Sequence, residues 1–422
     1  MNIVEGIKKR YDHVQSCERY LEQKEKRKKA FNEFLNEGGV PSSKVENYKY
    51  TPFDKQLNLN IDFNKLNNSI SSTKESIQNN FLNENGNHLV FINGDYDPSL
   101  SWINNDEITL IDKSNFVDEH SKYFTGFKDP FKKLNESFLT DDTEIKVKIS
   151  NHPSNLFIYH FFDGLTDQVI SQPKINIVVG NKTKLNIVDK TINLTTSNTF
   201  HNSNTELFLH EWAHVNYIKL QDYNNKSFVV DNLNVVQEKG SVFNSTTISF
   251  SGKVIRNNLD IVQQGESCES TMNGLYLLKN QDHVDNHTTI DHMWPNTESH
   301  QLYKGIVDDK ARAVFNGKIL VRPKALKTKA FQSNKNIILS DRAIINTKPQ
   351  LEIFADDVKC SHGCTVGQLD EEIIFYLRAR GLDKQQAKIL LLNTFIKETL
   401  SKVPIDSIRG EVEKNVTRNL SN

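Results

Sequence analysis

The chain has 422 residues, with 52 lysines and arginines against 53 aspartates and glutamates, a formal charge of −1. That balance gives no general attraction to nucleic acid or an anionic membrane, and no apolar run of roughly 18 residues reads as a membrane-spanning helix. Four irregularly spaced cysteines, Cys17, Cys268, Cys360 and Cys364, are too few for a disulfide framework and suit a reducing, cytoplasmic setting.

Intermittent apolar positions from Ile3 to Asn36 predict a helix, stopped by Gly38-Gly39 and kept stopped by Pro41. The opening residues lack an apolar signal region, and acids interrupt the basic stretch Lys24–Lys29, so it reads as a solvated helix face rather than a targeting helix. The aromatic segment Glu46–Phe53 is extended or turned and needs a surface to dock on. Leu89-Val90-Phe91-Ile92 before Asn93-Gly94 is a strand and turn. Phe131, Leu134 and Phe138 have helical spacing, and Phe157–Phe162 returns to strand character. Residues 1–150 are therefore read as an N-terminal helical and mixed cap region.

From about Lys174 to Glu352 short apolar-polar alternations recur, such as Ile175–Val179, Thr205–Leu209, Thr247–Phe250 and Asn336–Leu339. They are separated by Asn, Asp, Gly and Lys turns, and no helix-length pattern interrupts them. A doubly wound sheet would need helices between its strands. A parallel β-helix fits best, with coils of roughly 20 to 25 residues and about eight rungs. The core is assigned to 151–366 in a mainly β fold. Asparagine suits the turns, and its general abundance reads as a compositional bias. After residue 367 the period becomes helical: Ile373, Ile374 and Leu377 precede Gly381, Asp383 and Gln386 form a capping box, and Pro404 precedes a third helix. Residues 367–422 form a small C-terminal helical domain. Its last helix is either a docking surface or packed with the other two.

Thiolate and imidazole cluster most densely at Cys360-Ser361-His362-Gly363-Cys364, and both are ligands for soft metals and iron–sulfur units. On a strand, residues 360, 362 and 364 share a face about 6.6 Å apart stepwise, wide for three ligands on one ion. No second cysteine pair completes a closed zinc site, and a site finished by another subunit needs fewer local ligands. Cys360 with His362 could also be nucleophile and base, but no third orienting residue is evident. His283, His287, His292 and His300 form a looser group, read mainly as surface imidazoles, and Cys268 reads as a small core residue. His210-Glu211-Trp212-Ala213-His214 matches H-E-x-x-H by letter. Its flanks are strand-like, however, and in a strand the histidines would stand roughly 13 Å apart.

The segment His292–Leu382 carries Tyr303-Lys304-Gly305-Ile306, Ala313-Val314-Phe315-Asn316-Gly317-Lys318-Ile319 and Thr347-Lys348-Pro349-Gln350-Leu351-Glu352-Ile353. It continues with Ala355-Asp356-Asp357-Val358-Lys359-Cys360-Ser361-His362-Gly363, Gly367-Gln368-Leu369-Asp370-Glu371-Glu372 and Phe375-Tyr376-Leu377-Arg378-Ala379-Arg380-Gly381. This series resembles the SufD branch of the SufB/SufD family of SUF iron–sulfur cluster assembly scaffolds. The likeness is weaker through the rest of the core and at Val45–Thr51. It implies a right-handed parallel β-helix followed by a helical domain. It also implies pairing with SufB, binding of the SufC ATPase through the C-terminal helices, and a cysteine desulfurase system acting indirectly. A transient iron–sulfur cluster would form at the SufB interface, with His362 and Cys360 as its cofactor-binding and metal residues. Family members vary at the position of Cys364. No nucleotide is expected on this chain itself, while a flavin on the complex and a homodimer of the isolated chain both stay open. The alternatives are a purely structural partner of SufB and a β-helix enzyme acting on polysaccharide.

Overall fold

The computed structural model describes residues 3–16, 23–64, 72–104, 106–110, 120–124, 126–140, 143–149, 155–164 and 168–421. Between Gln168 and Gly367 every regular element is a strand. Two parallel sheets alternate along the chain. Sheet A stacks Gly86–Ile92, Asn155–Phe162, Lys184–Asn193, His214–Asp222, Val242–Ser251, Glu269–Leu278, Glu298–Val307, Lys329–Ile338 and Lys359–Gly367. Sheet B stacks Glu144–Ile149, Lys174–Val179, Asn198–Leu209, Ser227–Gln237, Val254–Gln263, His283–His292, Arg312–Val321 and Ile344–Ile353, with Gln168–Ser171 also on Asn198–Leu209. At the N-terminal end the short antiparallel strands Asp95–Tyr96 and Ile108–Leu110 cover the two edges. This is a parallel β-solenoid, and its ladder reaches back to Gly86.

The coil is longer than the expected 20 to 25 residues. Stacked side chains recur at 30, 28 and 31 positions in Asn216–Asn186, Asn244–Asn216 and Gln332–Gln301. Each coil holds two strands of about ten residues, and only part of each strand alternates cleanly enough to show in the sequence. In Glu269–Leu278, Met272, Tyr276 and Leu278 enter the inter-sheet core, while Leu275 and Leu277 face outward beneath helices. Burial on both faces replaces alternation by nearly continuous apolar runs.

Asparagine does more than fill turns. Asn155, Asn186, Asn216 and Asn244 form a ladder along sheet A with Nδ2···Oδ1 distances of 2.8–3.0 Å, and Asn204–Asn234 and Asn232–Asn258 do so on sheet B. An amide both donates and accepts, so a stack of them satisfies itself from rung to rung. The reading as mere bias is corrected here. One corner of the solenoid is equally regular: Lys182, Trp212, Gly240, Ser267, Asn296 and Lys327 all have φ between 58° and 66°. Each donates its backbone N–H to a turn carbonyl of the next rung, those of Glu211, Lys239, Glu266, Pro295, Leu326 and Asp357.

Helices from the two chain ends cover the two outer faces. The expected single N-terminal helix is two, α1 (Ile3–Ser16) and α2 (Lys24–Asn36), and Cys17 lies outside the described residues. With α3 (Phe53–Asn60), α4 (Lys74–Gln78), α5 (Ser121–Phe124) and α6 (Pro130–Glu136) they complete the N-terminal helical set. Ile7, Phe34, Phe53 and Phe131 pack onto Phe200, Phe228, Val230 and Val254 of sheet B. The segment Glu46–Thr51 docks beside them on polar bonds. Buried Arg256 donates to Asn47 O and Asp285 Oδ2, both at 2.7 Å, and sits 4.5 Å from the Tyr48 ring centroid. Tyr48 donates to Asp129 Oδ2 at 2.6 Å. On sheet A, α7 (Glu371–Ala379), α8 (Lys384–Leu400) and α9 (Asp406–Ser421) follow the solenoid. The capping box of Asp383 and Gln386 opens α8 as expected, and Gly381 takes φ 98° after α7.

Candidate functional site

The solenoid is left open at its C-terminal end. Lys359–Gly367 pairs on one side with Lys329–Ile338, and Ile344–Ile353 with Arg312–Val321; among the described residues no further strand covers either. In-register pairing sets Cys360 on Ala330, His362 on Gln332 and Cys364 on Asn334. Those three neighbours are buried, and Cys360 packs at the margin of the inter-sheet core. The strand period of two then turns residues 360, 362 and 364 to that same inner side. Here it is a mouth, because the next rung is missing.

Cys360 and Cys364 are half-buried and His362 is exposed. Burial pushes the Cys360 thiol up, partly offset by the Ala330 backbone N–H, so in the isolated chain it is held as thiol rather than thiolate. Cys364 Sγ lies 3.1 Å from Thr347 Oγ1 on the facing strand. A Cβ added at Gly363 would meet nothing within 4 Å, which leaves this edge open to another backbone. Among the described residues no group of three or more His, Cys, Asp or Glu is placed to hold a metal ion.

The other sequence candidates disperse. H-E-x-x-H spans the turn between Asn198–Leu209 and His214–Asp222, not a helix. His210 Nδ1 lies 2.9 Å from Glu238, while His214 Nε2 lies 3.2 Å from Asn244 Nδ2. The looser histidine group separates as well, and not mainly onto the surface. His283 bonds Thr51 at 2.9 Å and His287 pairs with Asp285 at 3.0 Å. His292 is buried between Thr297 and Ser299, its pKa lowered to about 3 by burial, and only His300 is well exposed, 2.8 Å from Glu298. Cys268 is a buried turn residue with its Sγ 3.1 Å from Glu238 O.

The C-terminal helices correct one reading. The last helix, α9, is not short of partners: Ile408, Val412 and Val416 are buried with Leu220, Ile248 and Leu277 of sheet A. Lys190 pairs with Glu411 at 2.9 Å, and Lys304 donates to Phe395 O at 2.7 Å and pairs with Glu398 at 2.7 Å. The helix left uncovered is α7, where Phe375 is 72% exposed and Ile373 and Tyr376 are exposed beside it. Helical periodicity showed which residues align but not which helix the sheet would cover.

A family model described as the SufBD core domain of SUF-system FeS cluster assembly matches residues 162–395. A SufBD family iron–sulfur cluster assembly protein of Synechocystis sp. is 33% identical over 349 residues, covering 78% of this chain and 77% of that protein. The iron–sulfur cluster assembly protein SufD of Escherichia coli is 29% identical over 388 residues, 90% of each chain, and SufD of Plasmodium falciparum is 28% identical over 256 residues, 60% of this chain and 17% of that protein. With the solenoid, its open C-terminal end and the flanking helices in place, the chain belongs to the SufB/SufD family of SUF iron–sulfur cluster assembly scaffold proteins.

Proposed function

We propose that this chain is the SufD-type subunit of a SufBCD complex and helps hold a nascent iron–sulfur cluster as cargo. The observation that carries this is the uncovered mouth of the solenoid, where Cys360 and His362 face the place a further rung would occupy. A SufB-type chain docking on the free strand edges would bring the missing ligands, so a few from each side suffice. Cys360, raised in pKa while alone, becomes a ligand once iron displaces its proton. The exposed apolar face of α7 suits a SufC-type ATPase as partner. ATP hydrolysis belongs to that partner, with this chain a non-catalytic scaffold in the cytoplasm, and sulfur arrives from a cysteine desulfurase on the SufB side. Residues 1–150, 151–366 and 367–422 serve as cap, scaffold and ATPase-binding region.

A second reading, architecture without ligands, is favoured by the lack of a three-ligand group among the described residues. Coexpression with SufB and SufC and anaerobic purification separates the two. An intact complex that loses bound iron and sulfide on His362→Ala supports the ligand role. Equal cluster content in wild type and variant assigns the ligands to SufB and leaves this chain as structure. Failure to form any complex removes the SufD-type assignment.

A further inference from the structure

A cavity of about 500 Å³ opens where the docked N-terminal segment meets the turn side of sheet B. Three cations line it, Lys253, Lys310 and Arg312, with Thr51, Gln281 and His283 between them and, among the described residues, no carboxylate in the lining. None of the three cations makes an ion pair with a described residue, although the molecule carries as many acids as bases. Among the described residues, Lys253 Nζ reaches the amide oxygen of Gln281, at 3.5 Å.

The nearby carboxyls are engaged elsewhere. Asp285 accepts from Arg256 and Thr51. Asp282, its pKa pushed up to about 6 by burial, accepts from the Lys279 and Gly252 N–H groups and lies outside the lining. Three like charges around one concavity repel each other, and a bound anion is the ordinary relief of that repulsion. Arg312 can meet an oxyanion with two parallel N–H bonds, while the lysines act as point charges. The volume exceeds a bare ion and falls in the range of small-molecule sites. The exposed ring of Tyr50 on the cavity wall offers an apolar face to the rest of a ligand.

We propose that this cavity binds a small phosphorylated molecule, its phosphate held by Lys253, Lys310 and Arg312. The site is independent of the cluster-holding role and lies on a different element of the chain.

The test is calorimetric titration of the full-length chain at physiological ionic strength with inorganic pyrophosphate, and separately with citrate. A saturable one-to-one isotherm for pyrophosphate, at least ~10-fold weaker for Lys253→Glu combined with Arg312→Glu, is the expected result. Lys310→Gln, at an exposed turn position, removes one contact without disturbing the fold and should weaken binding as well. Absence of pyrophosphate binding, or equal binding by the charge-reversed chain with unchanged circular dichroism, overturns the site. Citrate bound as tightly as pyrophosphate overturns the phosphate class.

Discussion

Arg256 and Asp285 are each buried on the outer face of sheet B, so each depends on the other's charge. Replacing Arg256 with Met strands the Asp285 carboxylate and releases Asn47 O, at an expected cost of about 3–5 kcal/mol. Urea unfolding measures it, and a change below ~1 kcal/mol would show that the pair is not what holds Glu46–Thr51 down. Glu206 sets the acid limit in the same way. Burial raises its carboxyl, but Lys174 and Lys132, at 3.3 and 3.2 Å, outweigh burial and bring its pKa to about 2. Unfolded, it titrates at about 4.3, so its stabilisation is whole above that pH and fades as pH falls toward 2, on the order of 3 kcal/mol in all. Glu206→Gln should lower the melting temperature at pH 7 and flatten its decline between about pH 4.5 and 2. An unchanged acid limb would exclude Glu206 as a source of that decline.

Strands Glu269–Leu278 and Glu298–Val307 interlock through two reciprocal pairs, Gly274 with Tyr303 and Tyr276 with Gly305. A Cβ at Gly305 would lie 2.0 Å from the Tyr276 ring and 2.5 Å from Asn336 Oδ1, the acceptor of the Tyr276 hydroxyl. Gly305→Ala should therefore cost about 1–3 kcal/mol by overpacking, whereas Gly363→Ala, with open space around it, should stay within about ±0.5 kcal/mol in the isolated chain. Equal thermal shifts for the two would refute this packing account. On the helices, Phe375→Asp should leave the solenoid's circular dichroism intact and abolish capture of a SufC-type ATPase; retained capture moves that interface off α7. Much at this scale was legible in the sequence. The parallel stacking, the capping box at Asp383 and the break at Gly381 all follow from local pattern. Three things did not: the coil length, the asparagine ladders and the burial of α9. The first two depend on which residues meet about 30 positions apart, and the third on which helix the outer leucines of sheet A select. Local periodicity carries neither. The mouth was half legible: the cluster of residues 360–364 stood out, but only the register with Ala330, Gln332 and Asn334 shows which way it faces.

Among the described residues, both broad faces of the molecule are taken by its own helices, and the strand edges at the C-terminal end are left free for pairing. In the absence of SufB that end should pair with a second copy. Light scattering of the isolated chain should give twice its 48.5 kDa mass, and Thr365→Lys with Val366→Lys should return it to monomer by charging the edge. A wild-type monomer at tens of micromolar would show that the edges need a different chain. The way the faces are covered also orders events in time. The aromatic segment around Tyr48 leaves the ribosome early, yet the residues that receive it come much later, Asp285 lying 234 positions after Thr51. At ordinary synthesis rates that is a delay of roughly 10 to 50 s. For most of it, until Phe200, Phe228, Val230 and Val254 of sheet B have been made, the apolar sides of α2 and α3 have no sheet to rest on, and over that stretch the nascent chain is in the care of a chaperone or at risk of aggregation.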